Sequence, residues 1–431
     1  MQLGGRISAA IEILEDFEAR RVPLRTAIAD WGRSNRYAGA KDRAFISGLC
    51  LDALRRRRSL ARTMDSEGAR AAILGALGFL WNRRVEDIAA AVTEEHGPGA
   101  LTENEQATLS GAVLEEAGDY PDWLAPNLRR VFGDDVDAVM AAFSERADVD
   151  LRLNTLKASP EKALTALKTV KAEAAPLLKT AARIAAPQPS EKAPGVTVIP
   201  AFNKGWVEVQ DLGSQLAASA AGDVKGAQVL DYCAGGGGKT LALAAMMENT
   251  GQLYAYDRDP RRLQPLFHRA KRAGVRNLQI RSPAGGEGLD DLTGKMDLVF
   301  VDAPCTGAGT WRRHPDTKWR LTEKQLQTRM SEQDAVLKEA ARFVKPGGRM
   351  VWVTCSFLME ENEDRLAAFL ETQSEFSRAP ALEFMEKSGL LIDEEKAALQ
   401  PCMTPEGAVR LTPDNIRADG FFVAVLVRAG G

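Results

Sequence analysis

Over the first 145 residues apolar positions recur every three to four places, in stretches 7–17, 44–54, 71–80 and 109–114, with Gly97, Pro98 and Gly99 as a break. That period lays one apolar stripe along a helix face, and no alternating run competes with it, so residues 1–145 are expected to form an all-helical domain. From 146 to 205 the period changes. Stretches 149–155 and 196–199 alternate like strands and 160–171 reads as a helix, with a Pro/Gly-bearing loop at 187–195, which predicts a small α/β subdomain. Beyond 206, short apolar runs at 228–232, 252–256, 298–301, 350–353 and 421–427 alternate with helical patterns at 240–247 and 322–343. A further helix is expected from Asp259, a capping residue with Pro260 at its first position, and Pro265 is expected to kink it. This alternation predicts an α/β fold with a mainly parallel sheet covered by helices on both faces.

Where the apolar runs stop, chemistry begins. The run 298–301 ends in Asp302, then Pro304 and Cys305; the run 350–353 ends in Thr354, Cys355 and Ser356. Ligands of a parallel sheet gather beyond the carboxyl ends of its strands, so one acid and two thiols are expected at one crevice. The first strand of the third region runs into Cys233, Ala234, Gly235, Gly236, Gly237, Gly238, Lys239 and Thr240. A phosphate loop of the Walker type needs glycine where Cys233 stands, and a dinucleotide fingerprint fails because its third glycine position falls on Thr240 or Leu241. What remains is a strand, a tight turn and a helix start, with Asp257 some twenty residues on, where an acid accepts hydrogen bonds from ribose hydroxyls. An adenosyl ligand without phosphate fits that set, and S-adenosylmethionine is such a ligand.

Composition narrows the setting. The chain of 431 residues carries a formal net charge of -3, so bulk charge gives no case for nucleic acid and any such contact must come from local patches. The amino-terminal segment lacks a charged and then long apolar stretch, and no apolar run reaches the ~18 residues of a membrane span, so a cytoplasmic location with no membrane partner is expected. Five scattered cysteines without CxxC pairs and three distant histidines argue against a disulfide framework and a metal site. Cys50, Cys233 and Cys402 read as small buried apolar residues. Cys305 and Cys355 do not, because each stands immediately past a strand. Carbon 5 of a pyrimidine is a poor nucleophile until a thiolate adds at carbon 6, and a cysteine suits that task because its thiolate forms readily and later leaves. A second thiol beside the ring assists release, and Asp302 suits the ring nitrogen and exocyclic amine of cytosine better than the matching edge of uracil.

The segments DYCAGGGGKT, AYDRDPRRL, VDAPCTGAGTWRRHPDTKW, TCSFLMEENE and DGFFVAVL resemble the successive motifs of the RsmB/Nop/Sun family of RNA cytosine-5 methyltransferases. The resemblance covers most of residues 206–431. It implies a Rossmann-like class I methyltransferase domain, Cys355 as nucleophile, Cys305 as the residue that aids product release, and an S-adenosylmethionine site lined by Cys233 to Lys239, Asp257 and Asp302. KDRAFISGLCLDALRRR resembles, more weakly, the NusB-like helical domain of RsmB-type members, and ADVDLRLNTLK their RNA-binding subdomain. The implied domains are then 1–145, 146–205 and 206–431. Two departures stand out: Gly235 and Gly236 replace the usual Ala-Pro, and the acid expected after the third strand is missing from IRSPAGG at 280–286.

RNA contacts are expected from Arg152, Asn154 and Lys157, although a plain surface strand is an equal reading, and from Arg312, Arg313, His314 and Lys318, where cations flanked by Trp311 and Trp319 suit phosphate contact and base stacking. The expected activity is methylation of cytosine carbon 5 in RNA, ribosomal RNA ahead of transfer RNA. The rivals are an enzyme in which Cys305 attacks, as in DNA cytosine methyltransferases, and a non-catalytic RNA-binding or ribosome-assembly factor on the same fold.

Overall fold

The computed structural model describes residues 1–189, 191, 195–283 and 288–430. The chain divides into two compact units: Met1–Arg146 with Ala186–Ala193 and Trp311–Leu321, and Ala147–Ala185 with Pro194–Thr310 and Thr322–Gly431.

The first unit is helical. Helices Leu3–Arg20, Ala40–Arg55, Ala69–Gly75 and Val85–Val92 turn their periodic apolar faces onto one core that includes Ile7, Leu14, Leu49, Leu74 and Val92. A buried charge cluster pins it: Asp52 accepts from Trp81 Nε1 at 2.7 Å and from Arg55 Nη1 at 2.5 Å, and it also pairs with Arg146. The segment Trp311–Leu321 belongs to this unit although its neighbours in sequence belong to the other. Trp319 packs against the helical core and donates to the carbonyl of Leu54 at 2.7 Å, while Arg55 donates twice to the carbonyl of Arg312 at 3.0 and 2.8 Å.

The second unit holds two sheets. The smaller is antiparallel in the order β2-β3-β1-β4, with β1 Val149–Leu153, β2 Glu173–Ala174, β3 Ala181–Ile184 and β4 Val207–Val209. Two expectations change here. Residues Val196–Val198 form a single 3-10 turn rather than a strand: Val196 is buried in the small core while Val198 is 77% exposed, so the alternation never meets a partner strand. The small sheet takes β4 from beyond residue 205. The helix expected from Asp259 spans Pro260–Ala273, with Pro265 inside it.

The larger sheet runs β10-β12-β9-β8-β5-β6-β7, from β5 Gln228–Asp231, β6 Gln252–Tyr256, β7 Leu278–Arg281, β8 Met296–Asp302, β9 Val344–Thr354, β10 Phe376–Ala379 and β12 Phe421–Arg428, with β11 Val409–Leu411 paired to β12. Strands β5 to β9 pair in parallel and β12 lies antiparallel against β9, a Rossmann-like mixed sheet. Its central strands are apolar without interruption because both faces are covered. Phe300, Val351 and Val353 enter one core cluster, and Val299, Val301 and Trp352 enter another. The strand order reverses between β5 and β8, which opens a crevice at their carboxyl ends.

Candidate active site

At the end of β5, Asp231 is fully buried and accepts from Thr240 Oγ1 at 2.6 Å; burial pushes its carboxyl up to about 7. The chain then turns through Gly235 at φ 51° and Gly237 at φ 83° into the helix Gly238–Met246. Glycine is required at 237 on two counts, since a Cβ there would also lie 2.2 Å from Leu266 Cδ1. Asp257, at the end of β6, fixes the turn: its Oδ2 accepts from Gly235 N at 3.0 Å and meets Arg262 at 3.2 Å, while its Oδ1 accepts from Asp259 N at 2.9 Å. Arg269 bonds the carbonyl of Gly236 and reaches Glu208. Beside this turn lies a cavity of about 1030 Å³ lined by Tyr232, Cys233, Tyr256, Asp257, Pro304 and Val336 among others. The Tyr232 and Tyr256 rings lie 5.3 Å apart, and burial raises the thiol of Cys233, which is an apolar wall here.

The two expected thiols meet. Cys305 Sγ and Cys355 Sγ are 3.3 Å apart and neither is in a disulfide. Their loops are locked by backbone: Gly309 N donates to the carbonyl of Cys355 at 2.9 Å, and the carbonyl of Gly309 accepts from Gly420 N at 2.7 Å. Only glycine fits at 309, because a Cβ would stand 2.0 Å from the oxygen of Gly420. Below Cys355, Thr354 Oγ1 donates to Asn362 Oδ1 at 2.6 Å, and Asn362 Nδ2 donates to the carbonyl of Ser356 at 2.9 Å. Cys305 is raised well above an ordinary thiol by its hydrogen bond with Cys355, by burial, and by the charge of Glu361.

Lys239 leaves the glycine loop and donates to Asp302 Oδ2 at 2.7 Å, with its ammonium 5.0 Å from the Phe421 ring centre. The lysine side chain is 8% exposed and the aspartate 33%. Burial alone would pull the ammonium down, but Asp302 outweighs it and the net shift is upward, so the pair is ionic with its carboxylate edge open.

Four of the residues expected to contact RNA are buried. Arg152 is 5% exposed and donates to Gln210 Oε1 at 2.8 Å; burial pulls its guanidinium down to about 10. Asn154 is 1% exposed and spends its amide on the carbonyls of Gly205 and Ala273 at 2.8 and 2.9 Å. Arg312 and Lys318 are buried in the helical unit, where Lys318 Nζ donates to the carbonyl of Arg55 at 3.3 Å. Alternation and charge suggest a surface in these stretches, but all four side chains face inward. Lys157 and His314 are exposed and Arg313 is half-buried. The stretch 280–286 falls partly outside the described residues, at 284–287; within it Arg281 pairs with Asp291 at 3.1 Å.

Sequence reasoning missed Glu361, which is 0% exposed and bonded to Thr306 in the Cys305 loop, together with Gln333, Arg262 and Arg269. The signal for Glu361 was the acid run after Phe357 in FLMEENE, a cluster in which one carboxyl had to turn inward.

The family described as 16S rRNA methyltransferase RsmB/F matches residues 221–427, and the ferredoxin-like domain of RsmF/B-like methyltransferases matches residues 120–191. A protein of Synechocystis sp. named probable ribosomal RNA small subunit methyltransferase B is 31% identical over 78% of this chain and 71% of its own length. The chain belongs to the RsmB/F methyltransferase family. Ribosomal RNA small subunit methyltransferase B of Enterobacter sp. is 28% identical over 90% of this chain and 91% of its own length. The crystal structure of a methyltransferase homologue from Pyrococcus horikoshii aligns with a TM-score of 0.57 at 26% identity, over 72% of this chain and 95% of that one. That of PH0851 aligns with a TM-score of 0.70 at 23% identity, over 99% and 100% of the two chains. An RNA methyltransferase with a Rossmann-like catalytic domain follows.

Proposed function

We propose that this methyltransferase uses S-adenosylmethionine to methylate carbon 5 of a cytosine in small-subunit ribosomal RNA through a covalent adduct on Cys355. The observation that carries the reading is the pair of thiols 3.3 Å apart, together with a cavity lined by Asp257 and by Pro304, the residue before Cys305. The residues fit the adenosyl group: a Cβ on Gly238 would meet nothing within 4 Å, the loop leaves room for close backbone approach, and Asp257 is a ribose acceptor once Arg262 gives way. When bound, S-adenosylmethionine supplies a methyl group on an electrophilic sulfonium.

Cys355 adds as thiolate to carbon 6, and the ring electrons so displaced make carbon 5 nucleophilic. Asp302 accepts from the exocyclic amine of cytosine on its open edge, and Lys239 holds that carboxylate in place. After transfer the carbon 5 proton passes to solvent, the carbon 5–carbon 6 double bond re-forms, and the electron pair of the C–S bond returns to the Cys355 sulfur. Cys305, held as a thiol, donates a hydrogen bond to that departing sulfur. A duplex hides carbon 6, so the cytosine must be unstacked. Lys157, Arg313 and His314 are the retained candidates for RNA contact.

The test is incubation of the protein with methyl-labelled S-adenosylmethionine and a mixture of unmethylated small-subunit ribosomal RNA and transfer RNA. Label at cytosine carbon 5 is expected; label only on a base amine, on ribose or on transfer RNA would reject the respective part.

A further inference from the structure

Beneath the two thiols lies a carboxylate that the reaction as described does not use. Glu361 ends the short 3-10 turn Met359–Glu361 and is fully buried. Its Oε1 accepts from Thr306 N at 2.7 Å and from Gln333 Nε2 at 3.1 Å, and its Oε2 accepts from Thr306 Oγ1 at 2.5 Å. The nearby Ser356 hydroxyl favours the charged form of the same carboxylate. Thr306 directly follows Cys305, so the carboxylate grips the residue next to that sulfur. Gln333 extends the grip by donating also to the carbonyl of Pro304 at 2.9 Å.

The donor set is all neutral, and among the described residues no lysine or arginine forms an ion pair with Glu361. A buried, charged carboxylate without a cation is costly, and simple packing would be served better by an amide or an apolar side chain. Burial is the larger effect and the net shift of its carboxyl is upward, while Ser356, Thr306 and Gln333 favour the charged form. The other charged or titratable groups near the thiols are Cys355 itself and the Lys239–Asp302 pair, whose charges offset one another.

We propose that Glu361 is a positioning residue for Cys305: by clamping Thr306 and, through Gln333, Pro304, it fixes that sulfur against Cys355, and its charge holds Cys305 in the protonated form. The part concerning product release rests on the covalent-adduct reading; the part concerning Cys305 does not. A Cys305 thiolate would sit 3.3 Å from the departing sulfur and repel it, whereas a thiol donates to it. This gives the fold a reason to place an uncompensated negative charge under that residue.

The experiment compares full-length wild type with Glu361→Gln and Thr306→Val. Cys305 and Cys355 are alkylated with iodoacetamide across a pH series, without RNA or cofactor, and each modified peptide is quantified by mass spectrometry. In Glu361→Gln the Cys305 profile should move to lower pH by on the order of one unit. In Thr306→Val, which keeps the charge, it should stay within a few tenths of wild type. With RNA and S-adenosylmethionine, both variants should accumulate a denaturant-stable protein–RNA adduct about tenfold above wild type. An unshifted Cys305 profile in folded Glu361→Gln overturns the electrostatic half, and wild-type adduct levels in Thr306→Val overturn the clamp. Should Glu361→Gln fail to fold, the Thr306→Val arm decides the clamp, and alkylation of wild-type Cys305 as readily at neutral pH as Cys355 overturns the charge assignment. A shifted profile with no adduct in any variant would spare this assignment and reject the covalent reading instead.

Discussion

In the proposed reaction the two cysteines are not interchangeable: Cys355 attacks, and Cys305, 3.3 Å away and followed by the Thr306 that binds Glu361, assists its release. Replacing Cys355 with serine is expected to abolish both methyl transfer and adduct formation. Replacing Cys305 with alanine should leave the first methyl transfer measurable and trap the RNA on the protein, visible as a band that survives denaturing electrophoresis. If the trapped species appears in the Cys355 variant instead, the roles are reversed. Lys239 and Asp302 act as a pair across 2.7 Å, and Lys239→Met leaves the carboxylate without its cation. The rate of single-turnover methylation should fall by about 10²–10³-fold, the scale seen when one preorganised electrostatic partner is removed. The meeting of Cys305 and Cys355 was legible in the sequence, because strand ends announce themselves by an abrupt stop in an apolar run. Lys239 was legible only as a loop residue, since pairing across two strands has no signature along the chain.

The cofactor loop is an element whose sequence and conformation must be judged together. Gly235 stands where the family usually has alanine, which by sequence alone reads as a looser loop. Its φ of 51° and its hydrogen bond to Asp257 give a different account: the turn is left-handed at that residue and tied down. Restoring alanine by Gly235→Ala would cost about 1 kcal/mol in backbone conformation and bring the Cβ to 3.2 Å from Arg262. Titration calorimetry should therefore show S-adenosylmethionine bound about fivefold more weakly, and tighter binding would refute the argument. Gly309 is the matching case between the cysteine loops. With its Cβ position 2.0 Å from a carbonyl oxygen of fixed backbone, Gly309→Ala should destabilise the fold by about 1–3 kcal/mol, read by denaturant unfolding, and disturb both sulfurs at once. The strands that escaped sequence reading were those with weak apolar signals. Strand β3 is Ala-Ala-Arg-Ile and β4 is three residues long, whereas the Val-Thr-Val of 196–198 alternated well and found no neighbour to pair with. Pairing is a long-range fact, and short strands are decided by it.

At the scale of the whole molecule, the segment Trp311–Leu321 shows the limit of reading charge as surface. Its cations and tryptophans suggested an RNA-binding lip, but the chain passes here into the helical unit, and Lys318 is 1% exposed with its ammonium 5.0 Å from the Trp319 ring centre and 5.9 Å from that of Trp311. Burial lowers Lys318 to about 7, against about 10.4 in an unfolded chain. Below pH 7 both folded and unfolded chains carry the proton, and the folded state bears the full cost of a buried charge. Between pH 7 and about 10.4 the unfolded chain holds a proton that the folded one lacks, so this residue's contribution to stability rises with pH across that window and levels off above it. Lys318→Met keeps the stem between the two tryptophans and removes the charge, at the loss of one long hydrogen bond to the carbonyl of Arg55. Thermal unfolding of the variant should show a gain on the order of 2 kcal/mol at pH 6, shrinking as the pH approaches 10. A gain that does not depend on pH would mean that packing rather than charge burial sets the cost, and a loss at pH 6 would mean that the ammonium is compensated inside the helical unit.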